Sequence, residues 1–433
     1  MAAPKPNAAA REAATAARLA DLVLPRGGFT AAARAEAIAR VRAMGLPGRR
    51  DEYWRWTDPA ALNAAHPEGA AAFRVDRPIF EGRDKVRLVF VDGVFDAAAS
   101  DDPALAGAEI ALLSGAEGLD IHWAKALYGT LEAASHDPVP RPLAALNTAA
   151  AGEGVLISVS GRPARPLHIS YRQSSEMSDV MLHHVIRLEP GAELTLLETG
   201  TPGARGNVVT EVDIGAGARF HHIRPQGRAF DRVLVTHLFA RLAEGALMKS
   251  FTLTANGRLT RNEAVIRIAG DGAVAHVAGA ALGDGKDAPF LHDDTVFVDH
   301  GAVGCESRQV FKKVLKNGAQ GVFQGKILVR SGAQKTDGYQ ISQALLLDDD
   351  SQFLAKPELE IYADDVKCSH GSTTGAIDET ALFYLRSRGV PRSEATALLV
   401  LSFLADAIAE IEDPELAEAV TGRLEDWLAR RTG

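Results

Sequence analysis

Two runs decide the fold: Gly191-Ala192-Glu193-Leu194-Thr195-Leu196-Leu197-Glu198 and Gly217-Ala218-Arg219-Phe220-His221-His222-Ile223-Arg224. In each, a Gly-Ala pair opens a short segment of alternating polar and apolar side chains, the period of a half-buried strand. Similar segments, broken by glycine turns, fill the chain from about Gly154 to Phe353. Gly-Ala pairs return at Gly245, Gly272 and Gly301, so the steps from Gly191 onward are 26, 28, 27 and 29 residues. Other Gly-Ala pairs, at Gly107, Gly203 and Gly279, fall off this register. A recurrence near 27 residues predicts a β-solenoid, whose coils stack to bury a face that no single coil could bury alone. Residues at one offset from the glycine then stack in a column. Three positions on, Leu194, Phe220, Met248, Ala275 and Gly304 are apolar or small and are expected to face inward. The next column, Thr195, His221, Lys249, His276 and Cys305, is expected to face outward, because successive side chains in a strand alternate. Two histidines and a cysteine in one ladder are candidate metal or redox contacts. An ordinary solvated face reads the same way.

Working outward, both ends of the chain turn helical. Thr30 is placed to cap a helix over Ala31–Met44, with Gly45 at its exit and Pro47 beyond. The aromatic run Glu52-Tyr53-Trp54-Arg55-Trp56-Thr57-Asp58 reads as a packing plug between this helical region and the larger body. Past Pro357, a helix is expected over Ile377–Arg388 with Asp378 near its cap, a long one over Pro391–Ile411, and a third opened by Asp413-Pro414. The middle helix carries Leu398, Leu399, Val400, Leu401, Phe403 and Leu404, apolar over more than one face, so it needs burial against a docked partner or the solenoid end. The division expected is 1–150 helical and mixed, 151–370 solenoid core, 371–433 helical.

Composition narrows the function. The 433 residues include 47 Lys+Arg against 56 Asp+Glu, a formal charge of -9, which argues against a nucleic-acid or anionic-membrane footprint. No apolar run is long enough to span a bilayer and no signal peptide is read, so a reducing cytoplasm is expected. With only Cys305 and Cys368 there is neither a disulfide framework nor a metal knuckle. The nearest approach to a phosphate-binding loop, Gly321 to Lys326, is one residue short and lacks the Ser/Thr. His183-His184 and His221-His222 put adjacent rings on opposite faces of a strand, so neither pair chelates one metal.

The densest polar chemistry is Glu358 to Gly371. In a strand, Cys368 and His370 project to the same face ~7 Å apart. A histidine at an ordinary pKa of ~6.5 is mostly neutral at pH 7, whereas a thiol at ~8.5 must lose a proton at a cost of roughly 2 kcal/mol. The imidazole therefore accepts a metal first. One Cys and one His are too few for an iron–sulfur cluster, which usually takes four ligands, so any cluster borrows ligands from another chain. A buried cysteine beside a structural histidine fits the same residues.

Gly318-Ala319-Gln320-Gly321-Val322-Phe323-Gln324-Gly325-Lys326-Ile327, Ala333 to Gln340, Pro357 to Gly371 and Leu382 to Gly389 together resemble the SufB/SufD family. The aromatic run at Glu52 to Asp58, and the lack of SufB-type cysteines ahead of the solenoid, place the resemblance on the SufD side. It implies a right-handed parallel β-helix with helical ends, acting without catalysis of its own in the SUF system of iron–sulfur cluster assembly. It further implies pairing with SufB through the β-helix ends, docking of the SufC ATPase on the C-terminal helices, and pairing with a second copy when SufB is absent. Carried onto these residues, His370 with Cys368 beside it would face a SufB cysteine around a transient, shared cluster. Reduced flavin is associated with the family's complexes, with no residues here to assign to it. Two other readings stand beside this one: a β-helix carbohydrate lyase or hydrolase using acids such as Asp293, Asp294 and Asp299, and a structural scaffold with no metal contact.

Overall fold

The computed structural model describes residues 6–72, 78–116, 118–119, 122–227 and 229–431. From Val155 to Gly375 successive strands fall alternately into two facing sheets and pair in parallel, eight to each sheet, and three strands ahead of Val155 bring the sheets to ten and nine strands among the described residues. Each strand of a coil pairs with the strand after next. This is the expected β-solenoid, with helices at both ends of the chain. Its start is closed by antiparallel pairing: Val94–Phe95 folds back on Val86–Val91, and Glu109–Leu112 runs against Val155–Val159. Residues ahead of 151 thus contribute strands to both sheets.

The Gly-Ala repeat has a physical cause at the corner. Gly191, Gly217, Gly245 and Gly272 hold φ between 61° and 74°, a backbone region that side chains disfavour. The alanine that follows is turned inward, and Ala192, Ala218, Ala246 and Ala273 are fully buried. Three positions past each glycine, Leu194, Phe220, Met248 and Ala275 stack in register as expected, none more than 2% exposed. Removing each larger side chain from water contributes roughly 1.5–3 kcal/mol.

The fifth coil corrects the register. Ala275 pairs with Ser307, not Gly304, and the corner glycine is Gly304 (φ 67°), not Gly301. The extra residues sit at the corner Gly285–Phe290, between the strands Val274–Asp284 and Leu291–His300, where the preceding coil needs only residues 256–258. Cys305 therefore occupies the buried alanine position after Gly304 and is 1% exposed. Arg308 takes its place beside His276 in the outward column.

The N-terminal region covers the outer face of the nine-stranded sheet. Its helix Ala31–Met44 has the expected bounds, but Thr30 Oγ1 accepts from Arg34 Nε at 3.0 Å rather than from a backbone amide. The aromatic plug is seated: Tyr53 and Trp54 are buried, and the Arg261 guanidinium lies 4.1 Å over the Trp54 ring.

Of the three C-terminal helices, Glu379–Ser387, Arg392–Ile408 and Pro414–Arg431, the first and third start at the expected caps, and the middle one ends at Ile408, short of the expected Ile411. Asp378 accepts from the amides of Thr380 and Ala381, and Asp413 from those of Glu415 and Leu416. The middle helix lies on the flank of the ten-stranded sheet rather than at the solenoid's end. Val400, Leu404, Ala407 and Ile408 pack with Phe251, Ala278, Val310 and Val314. Phe383, Tyr384 and Leu398 stay exposed, at 74%, 55% and 46%. No helix among the described residues is long and apolar enough to cross a membrane.

Candidate functional site at the last coil

Cys368 and His370 lie on Val366–Gly375, the edge strand of the ten-stranded sheet, which among the described residues pairs only with Thr336–Leu346. Their register partners are Gly338 and Gln340. Followed back through the coils, Gly338 stacks on Ser307 and Ala275, so Cys368 ends the same inward column as Met248, Phe220 and Leu194. His370 ends the column two residues on, which runs Leu196, His222, Ser250, Val277, Gln309 and Gln340. Both side chains thus belong to the face that every earlier coil buries. Here no further coil covers them, so Cys368 is only half-buried and His370 is exposed.

The local geometry explains the thiol's position. A Cβ on Gly338 would come 3.1 Å from Cys368 Sγ, so the glycine clears room for sulfur beside Ile327, Leu359 and Val366. Burial pushes the Cys368 thiol above its ordinary value and Asp337 adds to this, against the Gly338 amide, which stabilises the thiolate. A metal at Cys368 must therefore displace a firmly held proton. Beneath His370, the Gln340 amide donates to Gln309 Oε1 at 2.8 Å, while Gln340 Oε1 is buried without a hydrogen bond. An orphaned acceptor under an open histidine marks the point where the interior polar column runs out of protein.

The other candidates have structural partners. His221 and Lys249 meet Glu412 at 3.5 and 2.9 Å, and His276 meets Glu410 at 2.8 Å, so this outward ladder grips the turn between the last two helices. Cys305 is removed from that ladder by the register correction, and burial raises its thiol as well. Asp293 and Asp294 are buried on opposite faces of their strand, bonded to Arg261 and to Lys313 (2.6 Å) respectively, while Asp299 holds Arg330 on the surface. They form no row of acids along one groove. His183 pairs with Glu211 at 2.9 Å and His184 with Tyr171 at 2.9 Å, on opposite faces as expected. Among the described residues no three His, Cys, Asp or Glu side chains gather to hold a metal.

Sequence reasoning overlooked the polar file inside the middle coils. Tyr171 Oη donates to Glu198 Oε2 at 2.6 Å, His222 Nε2 lies 2.7 Å from Glu198 Oε1, and His222 Nδ1 lies 2.9 Å from Ser250 Oγ. The signal was available, since Glu198 and Ser250 share the inward phase of Leu194 and Met248.

The description "SUF system FeS cluster assembly, SufBD core domain" matches residues 171–403. The chain is 30% identical to the iron–sulfur cluster assembly protein SufD of Escherichia coli, over 88% of this chain and 89% of that one. It is 26% identical to an iron–sulfur cluster assembly SufBD family protein of Synechocystis, over 89% and 88%. With SufD of Bacillus subtilis the identity is 30%, over 35% and 34%.

Proposed function

The chain belongs to the SufB/SufD family of the SUF iron–sulfur cluster assembly system, and from that premise we propose that it is a non-catalytic subunit that supplies His370, with Cys368 beside it, to a nascent cluster shared with a partner chain. The observation that carries this reading is the ending of two inward columns in an uncovered cysteine and histidine. Within the array His222, on the same column as His370, takes one of its partners, Ser250, from the next coil. At the end that place is open to another molecule. Edge strands Val366–Gly375 and Gln352–Ile361 offer unpaired backbone to that molecule. In this reading the partner is SufB, or a second copy where SufB is absent, and the setting is the reducing cytoplasm.

The C-terminal helices supply the second surface. Phe383 and Tyr384 are large apolar groups left open on Glu379–Ser387, and they are the proposed seat of the SufC ATPase. The first of these helices follows the site strand by only a few residues, so motion imposed on it reaches His370 mechanically. No residue of the last coil is assigned to flavin, and no step here runs through that group.

The test is co-purification of the chain with SufB and SufC, followed by anaerobic cluster reconstitution. His370→Ala is expected to leave folding and complex assembly intact and to cut cluster formation sharply. If His370→Ala forms clusters normally while Cys368→Ala abolishes them, the ligand assignment reverses. If both are silent, the chain acts as a scaffold alone.

A further inference from the structure

The aromatic run from Glu52 to Asp58 reaches further than packing between two regions requires. It crosses the outer face of the nine-stranded sheet and touches four successive strands. On Leu259–Ile268, Arg261 Nη1 donates to the Tyr53 carbonyl at 2.9 Å. On Leu291–His300, Asp293 Oδ2 accepts from Thr57 Oγ1 at 2.5 Å, and the Phe297 ring meets the Tyr53 ring edge-on at 5.1 Å. On Gln320–Val329, the side-chain amides of Gln324 and Gln320 donate to the carbonyls of Tyr53 and Trp56 at 3.0 and 3.2 Å. The fourth strand is Gln352–Ile361, the edge of this sheet and half of the last coil. There Tyr53 Oη donates to Glu358 Oε2 at 2.5 Å, and Lys356 Nζ lies 4.1 Å over the Tyr53 ring while pairing with Glu52 at 2.5 Å.

The fourth contact differs in what depends on it. The inner strands are held by backbone pairing on both sides, whereas among the described residues Gln352–Ile361 pairs in its sheet only with Gln320–Val329, and none of its residues is fully buried. Its order therefore leans on side chains. Glu52 is 71% exposed, so its pairing with Lys356 contributes little. Tyr53 is 7% exposed and gives a charge-assisted bond to a carboxylate whose side chain is 29% exposed. Alternation then places Glu358 outward and Leu359 inward, where Leu359 packs with Ile327, Val366 and Cys368. Glu358 is thus one residue from the wall of the Cys368 thiol.

We propose that Tyr53 is a positioning residue for the last coil: its bond to Glu358 braces the edge strand against the N-terminal region, holds Leu359 beside the Cys368 thiol and keeps the edge in register for a chain that joins it. The proposal rests on the reading of Cys368 and His370 as the cluster site. The Tyr53 carbonyl and ring serve the inner strands, and its hydroxyl serves the last. Removing the hydroxyl alone therefore separates the brace from the packing.

The full-length chain is compared with Tyr53→Phe, Glu358→Ala, Glu358→Gln and the double variant Tyr53→Phe/Glu358→Ala. The readouts are hydrogen exchange of the backbone over residues 352–375 and the rate at which iodoacetamide alkylates Cys368 at one fixed pH, with Cys305, 1% exposed, as internal control. Loss of the bond should speed exchange over residues 352–361 about tenfold, the size of one charge-assisted hydrogen bond, and alkylation of Cys368 several-fold. Cys305 and the unfolding midpoint should hardly move. The double variant should go no further than either single one, and Glu358→Gln should act more mildly than Glu358→Ala, because an amide oxygen still accepts from the phenol. The proposal is overturned if neither readout moves in Tyr53→Phe, if Cys305 speeds up together with Cys368, or if the two single effects add. Neither readout involves a cluster, so a scaffold-only result in the reconstitution would strike the cluster reading and leave the brace standing.

Discussion

His222 and His370 occupy one inward column of the same solenoid and meet different fates. His222 is 1% exposed and held on both ring nitrogens, by Glu198 from the coil before and Ser250 from the coil after. His370 rests on Gln340 from the coil before and has nothing after it. A position that serves stability inside a repeat array becomes a binding position at its end, with no change of residue type. The reason is the quasi-one-dimensional character of solenoids, in which each coil is completed by its neighbours.

Stability measurements should separate the two regions most clearly. Phe220→Ala, in the buried inward column, is expected to cost about 3–5 kcal/mol in denaturant unfolding. Cys368→Ala, on the same column in the last coil, is expected to cost about 1 kcal/mol or less. Equal losses would mean that the last coil is as fully packed as the middle ones.

Acid should act through the middle coils. Burial, the largest cause in each case, pulls His168 down to about 3 and His184 and His300 to about 4, from an ordinary value near 6.5. Below pH 6.5 the unfolded chain takes up protons that these folded sites refuse, so stability is fully present above that pH and falls as pH drops toward 4. The slope should reach roughly 1 kcal/mol per pH unit for each histidine. Glu198, whose carboxylate is held below its usual range by His222 and Arg224 against its burial, adds to the loss at lower pH still. His184→Leu should flatten this limb. A flat stability profile from pH 7 to pH 4 would contradict the buried polar file.

The smallest effect is expected where the outward ladder meets the C-terminal turn. Glu412 gathers Lys249, Arg219 and His221 but is 37% exposed, so Glu412→Ala should cost only about 0.2–1 kcal/mol and less in high salt. A larger loss would make this clamp, rather than the apolar face at Val400 and Leu404, the main attachment of the helices.

The repeat glycines, the inward column from Leu194 to Ala275 and the caps at Asp378 and Asp413 were all readable from residue order. They depend on local backbone preference and on a period of two, which act within a few residues of one another. Gly301 and Cys305 were misplaced because a six-residue corner before Leu291 shifts the register, and a corner's length leaves no mark on a Gly-Ala count. The pairing of Cys368 and His370 on one face was likewise present in their spacing, and the family resemblance rested on motifs as local as these. What only the tertiary structure decided is which face that is, that no coil lies beyond it, and that Tyr53 and Glu358, far apart in the chain, meet on the last coil. How many coils stack is settled by pairings about one coil apart in sequence, as Gly338 with Cys368, and which loop lies over which sheet by contacts much longer in sequence, as Arg141 with Glu263.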